Sequence, residues 1–154
     1  MRLTVIAVGR LKERFWREAA EEYLKRLGSY ASMRVVEIAD RDSGRDVARA
    51  LADECADVLR AIPDGAYVIA LDIGGKQLSS EGFSAKLEAL ALDGRSSVAF
   101  LIGGSVGFDA AVLARADERL SLGPMTLPHN LARVVLLEQV YRAFRISRGE
   151  PYHK

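Results

Sequence analysis

The chain has 154 residues, of which 49% are apolar and 28% charged, with a formal net charge of +1 at pH 7. That length and apolar content suit one globular domain burying about 70% of the surface its unfolded form exposes, and they exclude a disordered or low-complexity protein. No apolar run approaches the roughly 18 to 20 residues that cross a bilayer, so a membrane-spanning role is excluded as well.

Leu3 to Val8 is short, apolar and partly β-branched, and Gly9 ends it, which predicts a buried first strand. Arg10, Lys12 and Glu13 follow at once with no small-residue cleavage site, so this run is no signal peptide and a cytoplasmic protein is expected. From about Glu13 to Leu27 the spacing of Phe15, Ala19, Tyr23 and Leu27 predicts a helix, with Gly28 suited to its C-terminal cap and Trp16 beside the apolar stripe. Arg34 to Ile38 reads as a second strand. The polar stretch from Asp40 to Gly44 precedes a second helix, about Arg45 to Ile62, with Val47, Leu51, Val58 and Ile62 inward and Pro63-Asp64-Gly65 as its stop. Cys55, the single cysteine, can form no internal disulfide and reads as a small buried helix residue.

Tyr67 to Ile73 is a third strand, cut by Gly74 and Gly75, and Ser79 or Ser80 can cap a third helix carrying Phe83, Leu87 and Leu90. Ser97 to Ile102 is the fourth strand, Gly103 to Gly107 a loop, and Asp109 the N-cap of a short helix reaching about Ala116. Arg119 to Leu122 is a brief fifth strand. The final helix, about Leu131 to Ser147, is apolar nearly all round, so it must be covered on more than one side, by a second copy of the chain or by a deep core. Strands alternating with helices predict a single-domain α/β fold, with a mostly parallel sheet and helices on both faces.

Three constellations could carry chemistry. The strand-end loops Leu71 to Lys76, Gly103 to Gly107 and Leu122 to His129 belong where open α/β sheets collect ligands, and apolar Leu71, Ile73, Leu122, Met125 and Leu127 could hold an adenine ring. A Rossmann dinucleotide site is not supported, because the full glycine fingerprint is missing. Gly103-Gly104-Ser105-Val106-Gly107 matches G-x-S-x-G, and Asp117 and His129 follow in hydrolase order, so a serine hydrolase is a competing reading. The C-terminus places Glu138 and Arg142 four residues apart on one helix face and ends in Pro151-Tyr152-His153-Lys154, which adds a phenol, an imidazole and a cation. Residues 129 to 154 carry a net +3 while the remainder sums to −2, a balance suited to a polyanionic partner or to plain solubility. Only His129 and His153 exist and no metal-binding pattern surrounds either, so no metal is expected.

Ile102-Gly103-Gly104, Met125-Thr126-Leu127-Pro128-His129, Arg133-Val134, Glu138-Gln139-Val140-Tyr141-Arg142-Ala143 and the terminal Pro151-Tyr152-His153-Lys154 together resemble the ribosomal large subunit methyltransferase H family, as do Val5 to Gly9 and Leu71-Asp72-Ile73. The resemblance covers essentially the whole chain and implies a SPOUT-type fold with a C-terminal trefoil knot, a homodimer, and methylation of N3 of a pseudouridine in large-subunit ribosomal RNA within the assembled ribosome. It implies that S-adenosylmethionine (SAM) lies against the backbone of Leu71, Gly103, Leu122, Gly123, Pro124, Met125, Thr126 and Leu127. Residue chemistry then suggests His153 as a base, Arg142 as a cation, Tyr152 positioning the base and Glu138 orienting Arg142. Arg133 and Lys154 are the expected phosphate contacts. A noncatalytic RNA-binding module remains a further reading, which would keep ribosome binding without a cofactor site.

Overall fold

In the computed structural model, which describes residues 1–41, 44 and 46–152, the order is β1 (Arg2–Val8), α1 (Arg14–Leu27), β2 (Ser32–Ile38), α2 (Val47–Ala61), β3 (Tyr67–Gln77), α3 (Ser80–Leu92), β4 (Ser97–Ile102), α4 (Ala110–Arg115), β5 (Glu118–Ser121) and α5 (His129–Ser147). The five strands form one sheet in the order β2-β1-β4-β3-β5, and every neighbouring pair is parallel. Parallel neighbours need long crossovers, and α1 to α4 each lie in one, while α5 follows the last strand.

Alternation along the strands sorts side chains between two cores. Leu3, Val5 and Ala7 of β1 face α1, α3 and α5 together with Phe100 and Ile102 of β4, while Ile6 and Val8 face α2 and α4 with Ala99 and Leu101. Cys55 is buried in the second core, as its neighbours predicted, and burial pushes its thiol pKa up. Among the described residues no helix is long and apolar enough to cross a membrane.

Several boundaries and faces differ from expectation. The inward side of α1 is Trp16, Ala20, Tyr23, Leu24 and Leu27, so Tyr23 and Leu27 lie inside as expected, whereas Phe15, also expected inside, is 63% exposed. Phe15 lies against Trp16 with ring centroids 5.1 Å apart and the ring planes tilted by 55°. Val47 likewise points outward at the start of α2, which buries Ala50, Glu54, Cys55 and Val58 instead. The largest difference is β3, which runs through Gly74 and Gly75 to Gln77. Its pairing with β4 ends at Ala70, and beyond a shift in register Lys76 and Gln77 pair with Leu120 and Ser121 of β5. The glycines permit this: a Cβ on Gly75 would lie 2.7 Å from the backbone carbon of Arg119 and 2.8 Å from the Leu120 nitrogen.

The last helix is covered on its inner side, where Leu136, Leu137, Val140 and Ala143 pack between α1 and α3 on the sheet. Val134 and Val135 on its outer side stay half-buried. Replacing Gly75 by alanine places a methyl group against backbone that has no rotamer to yield. Gly75→Ala is expected to lower unfolding free energy by about 1–3 kcal/mol, the range typical of overpacking, read as a drop in the urea midpoint.

Candidate functional site

Leu71 to Ile73 of β3, just past the end of its pairing with β4, meet the glycine-containing loops that follow β4 and β5. They enclose a cavity of about 560 Å³ lined by Leu71, Gly103, Leu122, Gly123, Met125, Thr126 and Leu127, with Phe108, His129 and Ala132 among the other walls. Of the eight residues expected to hold a cofactor, only Pro124 is outside that lining. The backbone here is tightly drawn: a Cβ on Gly103 would meet the Gly107 carbonyl carbon at 3.1 Å, and one on Gly104 would meet Val8 at 3.2 Å. Gly123 and Gly107 have φ of 132° and 76°, values that side chains with a Cβ rarely adopt. Ser121 fixes the turn by donating its hydroxyl to the Gly123 carbonyl and accepting the Gly123 amide, both at 3.1 Å. Met125 is 83% exposed and Ile73 60% exposed, so the rim is apolar and open to solvent.

Behind the Gly103 to Gly107 loop lies the buried carboxyl of Glu54, which accepts the Arg41 amide at 2.7 Å. Burial raises its pKa, opposed by that amide bond and helped by the neighbouring Asp40. This residue was not singled out by any motif.

The serine hydrolase arrangement does not assemble. Ser105 and His129 line the same cavity, but Asp117 precedes β5 at the opposite end of the parallel sheet. There its carboxylate accepts the Val68 amide at 2.8 Å, and its own amide donates to the Val68 carbonyl at 2.8 Å. Val68 pairs with Ala99, so about 10 Å of β4 separates Asp117 from the start of the serine loop.

On the middle of α5 a second group forms. Arg142 donates from Nη2 to Glu138 Oε1 at 2.6 Å and from Nε to the same oxygen at 3.0 Å, Tyr152 Oη donates to that oxygen at 3.0 Å, and the Arg142 guanidinium lies 4.6 Å from the Tyr152 ring centroid. Gln139 donates to the other carboxylate oxygen at 2.8 Å and accepts the Ser80 hydroxyl at 2.6 Å. The hydrogen bond to Glu138 raises the pKa of Arg142. Burial first, and the Glu138 carboxylate second, push the Tyr152 phenol up to about 12. The chain reaches this place by reversing at Gly149, where φ is 64°, and Glu150 is held there by the Tyr30 hydroxyl at 2.8 Å and by Arg145. His153 and Lys154 lie outside the described residues.

One chain does not bring the two groups together. Glu138 lies about 13 Å and Arg142 about 20 Å along α5 from His129, and neither lines the loop cavity. Arg133, for which an RNA phosphate was the expected partner, is only 4% exposed, bound to Glu37 at 2.7 Å and to the Gly9 carbonyl at 3.0 Å. Sequence reasoning gave no role to Gln139, although it stands inside the Glu138 to Ala143 motif, nor to Ser80 beyond helix capping.

Comparison with known proteins follows this geometry. A family model described as "Predicted SPOUT methyltransferase" matches residues 1–153. "Ribosomal RNA large subunit methyltransferase H" of Listeria monocytogenes serotype 4a is 52% identical over the full length of both chains, and the protein of that name from Bacillus cytotoxicus is 48% identical over the same extent. Among solved structures, TrmJ from Z. mobilis superposes with a TM-score of 0.54 at 16% identity, covering 100% of this chain and 73% of that one. A protein from Legionella pneumophila solved with the cofactor SAM bound gives 0.51 at 14% identity, covering 93% and 66%. At such identities these structures establish the fold.

Two outcomes are expected from the geometry. The Tyr152 pKa is raised above its unfolded value of about 10, so its contribution to stability is complete below about pH 10 and is lost as the pH rises toward 12. Tyr152→Phe should remove that part of the alkaline slope in thermal melts taken across this window. Arg133→Ala leaves Glu37 without its partner and opens a gap beneath α5. It should lower stability by about 1–3 kcal/mol, measured by chemical denaturation, while the salt dependence of RNA binding changes little.

Proposed function

We propose that this chain, which belongs to the SPOUT methyltransferase family, transfers a methyl group from SAM to N3 of a pseudouridine in large-subunit ribosomal RNA. The observation that carries the reading is the cavity at the strand ends. Its walls are backbone and apolar side chains from three segments, it is large enough for a nucleoside-sized ligand, and it is lined by seven of the eight residues named for the cofactor. The full-length relatives at about half identity support the substrate class.

The residues present fit SAM. Apolar Leu71, Leu122 and Leu127 offer faces to an adenine, and the glycines let backbone amides and carbonyls approach its edge. When bound, SAM supplies a methyl group activated by its sulfonium. The chain must then deal with the proton on N3. Arg142, held in place by Glu138, offers a fixed positive charge to the ring as that proton leaves. Tyr152, with a pKa of about 12, stays protonated near neutrality and acts as a hydrogen-bond donor and positioning group. His153 is left as the base in this scheme, because its unperturbed pKa lies near the working pH.

Completing the site requires a second copy. The separation along α5 between the cavity and Arg142, together with half-buried Val134 and Val135 on the outer face, supports a homodimer in which one subunit's tail reaches the other's cavity. The C-terminal trefoil knot and a cytoplasmic location belong to the same reading. A net charge of +1 favours the assembled ribosome over loose RNA as substrate, since phosphate neutralisation dominates nonspecific affinity.

Calorimetric titration with SAM should give saturable binding, light scattering should give a dimer, and labelled methyl should enter the RNA of intact large subunits faster than naked RNA. Arg142→Ala should lower kcat by about 10²- to 10³-fold with SAM affinity unchanged. Gly103→Val should abolish SAM binding, and mixing these two inactive variants should restore turnover through mixed dimers. A folded protein that binds no SAM would end this reading.

A further inference from the structure

A second cavity, of about 340 Å³, opens beside the first and shares Leu120, Leu122 and Gly123 with it. Its walls include the buried ring of Phe83 and the polar residues Gln77, Ser79, Ser80, Ser121 and Gln139, of which Ser80 and Gln139 are hydrogen-bonded to each other. Gln139 also donates to Glu138 at 2.8 Å. The cavity therefore stands between the cofactor loops and the Glu138–Arg142–Tyr152 group, which otherwise have no contact within one chain.

The carboxamide of Gln139 is fixed at both ends, by the Ser80 hydroxyl on its oxygen and by Glu138 on its nitrogen. A carboxamide has two N–H donors and two acceptor lone pairs, so one donor and one acceptor remain after these two bonds. That pairing matches a ring edge with an N–H beside a carbonyl, the way carboxamides read base edges. A small cavity with an aromatic wall and a carboxamide anchored at both ends suits a single planar heterocycle.

We infer that this cavity receives the target base and that Gln139 reads its N1–H and C2 carbonyl edge, an inference that rests on the methyl-transfer reading above. If N3 is the nucleophile it must be left open to the methyl donor, and the N1–H/C2 carbonyl edge is then available for recognition. In pseudouridine the sugar is attached through carbon, so N1 keeps its hydrogen. In uridine N1 is bonded to the sugar, and half of the paired contact is missing. Gln139 thus selects pseudouridine over uridine, and Ser80 positions Gln139.

The test compares methylation of large ribosomal subunits carrying pseudouridine at the target with subunits carrying uridine there, alongside SAM titration of each protein variant. Wild type should prefer pseudouridine by about tenfold or more in kcat/KM, the scale of one bidentate base contact. Gln139→Leu should lose that factor on pseudouridine subunits, show no remaining preference, and bind SAM as wild type does. Ser80→Ala, which leaves the carboxamide present but unanchored, should lose part of the preference, and it serves if the leucine variant does not fold. Retention of full preference in both variants would overturn the inference. So would weakened SAM binding in Gln139→Leu with the preference intact, which would assign the cavity to the cofactor's amino-acid tail. A wild-type protein that methylates neither kind of subunit would instead overturn the methyl-transfer reading itself.

Discussion

The close approach of β3 to β5 at Gly75 is the constraint on which the rest of the site depends. Beyond Ala70 the third strand leaves its pairing with β4, and after a shift in register Lys76 returns to Leu120, the partner of Leu71, at a point where Gly75 has no Cβ to strike the Arg119 and Leu120 backbone. That return keeps the 71–77 segment beside the end of β5, where Leu71, itself paired with Leu120, and Leu122 are walls of one cavity. An ion pair between Arg119 and Asp72, at 3.4 Å, ties the same two segments from the solvent side. Its exposed position makes it a minor contributor beside the backbone fit.

The final helix connects the regions that this contact creates. Its first residue, His129, lines the cofactor-sized cavity, and its buried face fills the core between α1 and α3. Its middle carries Glu138, Gln139 and Arg142. Glu138 sits at a junction, accepting from a guanidinium, a phenol and a carboxamide at once. Burial first, and the bond to this carboxylate second, make the neighbouring Tyr152 phenol reluctant to ionise. Arg133, one face away, does the anchoring, fastening α5 to Glu37 and to the Gly9 carbonyl. Two arginines on one helix thus take different roles according to whether the core or the surface surrounds them.

Much of the fold was legible because local rules governed it. Strand and helix alternation predicted a parallel sheet, and the N-caps Ser79 and Asp109 were readable because short polar side chains satisfy the first amides of α3 and α4. On α1, Tyr23 and Leu27 lie inside as their spacing predicts, and Phe15 does not. Phe15 is apolar enough to be placed inside on spacing alone, while the actual contact face is set by how the helix lies on β1 and β2. The strand ending at Ile73 was misjudged for a related reason: two glycines are a usual stop signal, and only a neighbouring backbone turns them into a crossing point.

The sequence by itself determined the fold class, the loops that gather at the strand ends and the family motifs of the last helix and tail, because hydrophobic period, glycine placement and residue identity are local properties. Only the tertiary structure decided that Asp117 lies at the far end of the sheet from Ser105, that Arg133 is buried, and that Gln139 faces a cavity beside the cofactor loops. Those facts depend on strand direction, helix rotation and contacts between residues far apart in the chain. No spacing rule along one strand or helix contains them.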